Sequence, residues 1–252
     1  MTQGRDPDYD ALWGGAWQRA AAFGPGFRSR YETLLRLMAQ FGAAGRFIEF
    51  GAGTGAFLPR VTRRFPWLEL SAHEQSATAL AALRALPALH GVYEGPLDAE
   101  LQLGRAFDVA VCSEVLEHIE DDGAALDALI RHLRPGGRLY LSVPLRPGLW
   151  TRVDEAVGHV RRYRRGQLAE LCRARGLEVL ADLSTGFPIY NAYYRVLGRK
   201  SPEETAQTAD RGLKGRLLAG ALGRVFTLET RLSTPLGGRG FVAARLPVRG
   251  RP

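Results

Sequence analysis

Gly51, Gly53 and Gly55 alternate in a turn that follows the apolar run Phe47-Ile48-Glu49-Phe50, and two acids flank it: Glu49 just before the first glycine and Glu74 23 residues after it. Glycines lack Cβ atoms, so such a turn lets bare backbone approach a ligand, and a helical pattern behind it presents the unpaired N–H groups of a helix start. Further along, Glu114, Glu117 and His118 fall three and four apart, so one helical turn aims all three the same way, and a second histidine stands at His159. Acids and imidazoles in one place can take the proton that a hydroxyl nucleophile must lose near neutral pH.

The spacing inside the glycine turn narrows the ligand. A dinucleotide fingerprint sets its third glycine three positions after the second, whereas Gly53 and Gly55 are two apart. An acid at the strand end suits a ligand with a positive amino group better than one with two phosphates, because like charges repel in a poorly solvated cleft. S-adenosylmethionine, with its sulfonium, ammonium, carboxylate and ribose diol, has that chemistry. Glu74 ends the next strand pattern, close to the offset of about 20 residues at which a carboxylate accepts both ribose hydroxyls.

The elements that must hold these groups alternate. The patterns predict strands over 47–50, 68–73, 91–94, 107–112 and 138–143, with helices over 55–65, 76–86 and 122–133 between them. Such alternation means right-handed βαβ units and a parallel sheet covered on both faces, and the near-continuous apolar strands agree. A helix over 167–175, a strand over 177–183 and a final strand over 241–246 complete the domain, which runs from 45 to 252.

Residues 1–44 are expected to form an N-terminal helical cap. In it, 34–41 packs on the sheet, and the aromatics Tyr9, Trp13 and Trp17 form a lid over the ligand cleft. Residues 187–236 read as a helical insertion before the last strand, with Leu213, Leu217, Ala221, Val225, Leu228 and Leu232 at helical spacing and Lys214, Arg216, Arg224 and Arg231 elsewhere around the helix. That pattern suits a substrate-side cover, or a weak contact with a membrane surface.

Composition bounds the rest. With 46% hydrophobic residues among 252, the chain can build a real core. The net charge of +8 points toward anionic partners, but lysine occurs only at Lys200 and Lys214, and an arginine bias spread along the chain is no nucleic-acid patch. Met1 to Asp10 lacks a leader's apolar core, no stretch approaches the roughly 18 apolar residues of a membrane span, and Cys112 and Cys172 have no metal spacing. A cytoplasmic protein with free thiols is the expectation.

Taken together, Glu49-Phe-Gly-Ala-Gly-Thr-Gly55, Glu74, the run from Phe107 through Glu114-Val-Leu-Glu117-His118, and Leu133-Arg-Pro-Gly-Gly-Arg-Leu-Tyr-Leu-Ser-Val-Pro144 resemble the class I S-adenosylmethionine-dependent methyltransferases, over roughly residues 45 to 185. The resemblance implies a Rossmann-like, doubly wound α/β sheet of seven strands with an antiparallel last strand. It implies that Gly51, Gly53 and Gly55 hold the methionyl end of the cofactor with Glu49 near its ammonium. Glu74 then takes the ribose hydroxyls, Gln75 and Leu97 lie at the adenine, and Cys112 and Ser113 lie below the sulfonium. One departure is Pro96, which stands about where the family has an acid near the adenine amino group; Asp98 is the nearest replacement.

The Glu-x-x-Glu-His run with a later histidine also resembles the site of small-RNA 2′-O-methyltransferases and that of ubiquinone-pathway O-methyltransferases, where a divalent metal positions the accepting oxygen. On that likeness Glu114, Glu117, His118 and His159 are candidate ligands for Mg²⁺, Mn²⁺ or Zn²⁺. Metal-free base catalysis by His118 or His159 is the other reading. Gly158-His159-Val-Arg161-Arg162-Tyr163 further resembles bacterial methyltransferases of sugars and other secondary metabolites, with the arginines around Tyr163 available to an anionic acceptor. The function expected is methyl transfer to an oxygen of a small molecule, a natural product or sugar; the alternatives are RNA 2′-O-methylation and a non-catalytic, cofactor-binding regulatory subunit.

Overall fold

The computed structural model describes residues 24–199 and 212–248; the aromatic lid expected at 9–17 lies outside them. Seven strands, β1 (Arg46–Phe50), β2 (Glu69–Glu74), β3 (Gly91–Glu94), β4 (Phe107–Ser113), β5 (Leu133–Pro144), β6 (Glu178–Thr185) and β7 (Arg239–Arg245), form one sheet in the order β3-β2-β1-β4-β5-β7-β6. β1 to β5 pair in parallel, and β7 lies between β5 and β6, antiparallel to both. The expected seven-stranded α/β sheet with a reversed last strand is therefore present.

Side chains alternate between the two faces of each strand, and each face carries its own core. Ile48, Phe50, Leu139 and Leu141 pack against α4 (Asp122–Arg131) and α6 (Gln167–Ala174). Phe47, Val109, Val111 and Tyr140 pack against α1 (Pro25–Phe41) and α2 (Leu58–Arg64). The helix expected over 34–41 is the second half of α1, which starts at a proline that its first turn tolerates and buries Leu34, Leu35, Leu37 and Met38. A third helix, α3 (Ala77–Arg84), is capped by Ser76, whose Oγ accepts the Ala79 N–H.

Two starts moved furthest. The helix after the glycine turn begins at Leu58, not 55, because Gly55 N–H bonds to the Ala52 carbonyl and closes a turn first. β5 starts at Leu133, five residues early, through an irregular pairing with β4.

The segment before the last strand holds α7 (Ile189–Leu197) and α8 (Gly212–Glu229), while α5 (Arg152–Ala156) follows β5. α8 lies along α1, with Phe226 fully buried and both carboxylate oxygens of Glu229 accepting N–H groups from Ile189 and Tyr190 at the start of α7. That carboxylate compensates the positive end of α7. The outer face of α8 leaves Leu217, Leu218 and Leu228 more than half exposed. Among the described residues no helix is long and apolar enough to cross a membrane.

Candidate active site

The strand ends of β1, β2, β4 and β5 open onto one crevice, as α/β sheets with a strand-order reversal require. On its β1–β2 side, Gly51, Gly53 and Gly55 all have positive φ (65°, 54° and 79°), a conformation that an L side chain resists. A Cβ at Gly51 would also strike Val115, so close backbone packing and torsion both demand glycine there. Glu74 is buried and accepts three N–H groups: Gly53 at 2.7 Å on Oε2, and Gln75 at 2.8 Å and Ser76 at 3.0 Å on Oε1. The acid thus ties the glycine turn to the end of β2.

Glu49 is buried with Oε2 unpartnered. Burial pushes its carboxyl up to about 8, against the attraction of Arg30 and with the repulsion of Glu74. Arg30, on α1, also faces Glu114 at 3.8 Å and keeps its Nε buried without a partner. Of the other residues expected here, Leu97 is buried, Gln75 is exposed and contributes its backbone to Glu74, and Asp98 accepts the Glu100 N–H. Cys112 packs in the core under the crevice, where burial raises its thiol pKa, and Ser113 Oγ sits 2.9 Å from Ser142 Oγ.

On the opposite side the spacing argument fails for one residue. Glu114 has φ 57°, and the residues after it form a 3₁₀ turn, Leu116–His118, in place of an α-helical turn. Glu114 accepts from Ser142 Oγ at 3.1 Å and faces Arg30. Glu117, His118 and His159 do converge, with ligating atoms within 4.8 Å of one another. Glu117 is fully buried, and among the described residues neither of its carboxylate oxygens has a hydrogen-bond partner. Burial, then Glu114, raises its pKa; burial, then His159, lowers that of His118 to about 3, leaving a neutral imidazole.

Asp154 orders this group, and it was not expected from the sequence. Its Oδ1 lies 2.7 Å from His159 Nδ1, which turns His159 Nε2 toward Glu117 at 3.8 Å. Arg162 grips the same carboxylate through Nε (2.8 Å) and Nη2 (3.1 Å), and Thr151 and Tyr194 donate to it as well. Burial would raise the Asp154 pKa, but the bonds from His159 and Arg162 hold it down at about 2. Its one local signal is Thr151-x-x-Asp154, a capping box that starts α5. The loop carrying His159 is pinned by Val160 N–H to the Glu117 carbonyl at 2.8 Å.

The arginines expected to meet an anion are otherwise engaged. Arg161 pairs with Asp122 at 3.0 Å and donates to the Glu120 carbonyl, Arg162 is taken by Asp154, and Arg164 and Arg165 are exposed. Two arginines that the sequence reading passed over, half-buried Arg30 and buried Arg239, reach the crevice from α1 and from the start of β7. Arg239 had a faint signal in Gly237-Gly238-Arg239-Gly240, since a Cβ at Gly237 would strike the backbone of Ser184 and Thr185.

A seven-stranded sheet with β7 reversed between β5 and β6, carrying an acid-flanked glycine turn, is the fold of the class I S-adenosylmethionine-dependent methyltransferases. Residues 25–182 match the family model described as "Methyltransferase domain", and the chain belongs to that family. Among curated proteins it is 29% identical over 109 residues to the ubiquinone biosynthesis O-methyltransferase of Xylella fastidiosa (strain M23), covering 40% of this chain and 42% of that one. The chain thus aligns with less than half the length of that relative. Among solved structures, the N-methyltransferase NodS of Bradyrhizobium japonicum WM9, bound to S-adenosyl-L-homocysteine, superposes with a TM-score of 0.60 at 18% identity, over 96% of this chain and all of that one. A methyltransferase solved with the Haloferax volcanii Trm112 activator gives 0.63 at 16% identity, over 98% and 100%. At such identities the two structures establish the shared fold.

Proposed function

We propose that the protein transfers the methyl group of S-adenosylmethionine to an oxygen of a small-molecule acceptor, natural product or sugar, held beside Glu117, His118 and His159. The observation that carries this reading is the buried Glu117 carboxylate, facing two imidazoles and without a hydrogen-bond partner among the described residues. Such an arrangement is costly unless a ligand completes it.

On the cofactor side, Glu49 and Arg30 suit the methionyl ammonium and carboxylate, and Glu74 the ribose diol. An arriving ammonium would favour ionised Glu49. In-line methyl transfer needs little more from the cofactor side than alignment, which the rigid turn at 51–55 supplies.

On the acceptor side, Glu117, His118 and His159 fit a divalent metal. One carboxylate and two imidazoles match Zn²⁺ or Mn²⁺ better than oxygen-seeking Mg²⁺, and the Asp154–His159 bond is the outer-shell contact that orients a ligating imidazole. When bound, the metal would polarise the accepting hydroxyl and lower its pKa. The same Asp154–His159 pair also favours a metal-free route, in which His159 Nε2 takes the acceptor proton and Asp154 steadies the imidazolium.

Metal analysis of the purified protein, with S-adenosylhomocysteine release measured before and after chelation, tests the site. Activity lost on chelation and restored by Zn²⁺ or Mn²⁺ supports the metal; full activity after thorough chelation removes it and leaves His159 as the base.

A further inference from the structure

α7 carries Tyr190 and Tyr194, four residues apart on one side of the helix, and each ring bears a guanidinium. Arg162 Cζ lies 4.6 Å from the Tyr194 centroid, and Arg239 Cζ lies 3.8 Å from that of Tyr190. The two arginines come from distant parts of the chain and share one arrangement, except at a single edge. Arg162 spends Nε and Nη2, the side-on fork, on the two oxygens of Asp154. Arg239 is held at its other edge, where Nη1 donates to the Gly26 carbonyl at 2.9 Å and to Ser29 Oγ at 3.0 Å. Among the described residues its Nε and Nη2 are buried with no partner, and the residue is only 3% exposed.

A buried guanidinium fork without an anion is an incomplete pair. The acids near it do not complete it: Glu114 is bound to Ser142 and faces Arg30, and Glu229 gives both oxygens to the start of α7. We propose that Arg239 binds a carboxylate of the acceptor through Nε and Nη2, as Arg162 binds Asp154 one helical turn away. The proposal rests on the reading that the acceptor enters beside Glu117 and His159. A planar carboxylate matches the two parallel N–H bonds of the fork, and lysine cannot supply them. The specificity determinant is thus a residue at the start of the final strand, outside the arginine-rich loop around Tyr163.

The test is calorimetry on the full chain saturated with S-adenosylhomocysteine, using 3,4-dihydroxybenzoate, its neutral amide and 3,4-dihydroxyphenylphosphonate as probes. The benzoate should bind about tenfold or more tighter than the amide, a preference that Arg239→Gln erases and Arg239→Lys only partly restores. Both variants should keep the wild-type affinity for S-adenosylhomocysteine, which also reports their folding. Equal binding of benzoate and amide, or no binding of either, overturns the proposal. So does an Arg239→Gln variant that melts like wild type but loses S-adenosylhomocysteine, since the arginine then serves the cofactor. A phosphonate favoured over the benzoate overturns the carboxylate assignment. If no acceptor ever yields S-adenosylhomocysteine from S-adenosylmethionine, the methyl-transfer reading fails, and the carboxylate-over-amide preference is judged separately.

Discussion

The two sides of the crevice are built in opposite ways. The side proposed for the cofactor is local: Glu49, the three glycines and Glu74 lie within 26 residues, and Glu74 is satisfied by backbone N–H groups of its own turn and of the neighbouring one. The side proposed for the acceptor is assembled from the 114–118 turn, the 154–163 loop, α7 and Arg239, and its carboxylates Glu114 and Asp154 accept from side chains distant in sequence, Ser142 and Tyr194 among them. Backbone donors hold a fixed ligand through a fixed loop shape, whereas side-chain networks can change one partner at a time. A domain family that keeps one cofactor and takes many acceptors needs that division, and the two sides should respond differently to substitution.

The sharpest way to break the comparison is His159→Ala. Loss of the base or ligand should lower the methyl-transfer rate by about 10²–10⁴-fold while S-adenosylhomocysteine affinity stays at the wild-type value; a parallel loss of cofactor binding would mean the two sides are one unit. Glu74→Ala is the converse experiment. Losing charge-assisted hydrogen bonds of roughly 1.5–3 kcal/mol should weaken S-adenosylmethionine binding about 10–100-fold by calorimetry, with acceptor KM little changed. Unaltered cofactor affinity would remove Glu74 from the site.

The smallest effect is the most specific. Glu49 is raised to about 8 in the folded, ligand-free protein, against about 4.3 for an unfolded glutamate, so the folded state holds the extra proton between those values. Ligand-free protein should lose stability as pH rises through that window. A cationic ammonium placed beside Glu49 favours its ionised form, so cofactor affinity should rise toward pH 8 and level off above it. Glu49→Gln should flatten both curves; a slope that survives in the glutamine variant assigns the proton elsewhere.

Much of this molecule was legible before folding. Near-continuous apolar runs located the central strands, because a sheet buried on both faces leaves that mark on them, whereas the edge strand β3 is only partly buried. Alternate glycines, with acids at two strand ends, located a turn at 51–55 whose three glycines all take positive φ, torsions that suit glycine. Boundaries slipped where a local hydrogen bond decided them, as at Gly55 and Leu133. The expectation that Glu114, Glu117 and His118 share a helical turn failed because Glu114 adopts φ 57° and a 3₁₀ turn follows, and residue spacing does not record backbone hand.

The sequence alone determined the sheet, the glycine turn with its flanking acids and the presence of two histidines with acids near the strand ends. Tertiary structure alone decided which of those acids meets the histidines, that Asp154 orients His159 and occupies Arg162, and that Arg239 keeps a fork over Tyr190 that no described residue fills. The first set follows from torsions and periodicities that each segment carries within itself. The second depends on pairs such as Arg239 with Ser29, 210 residues apart, whose meeting is set by packing of whole elements and leaves no local mark.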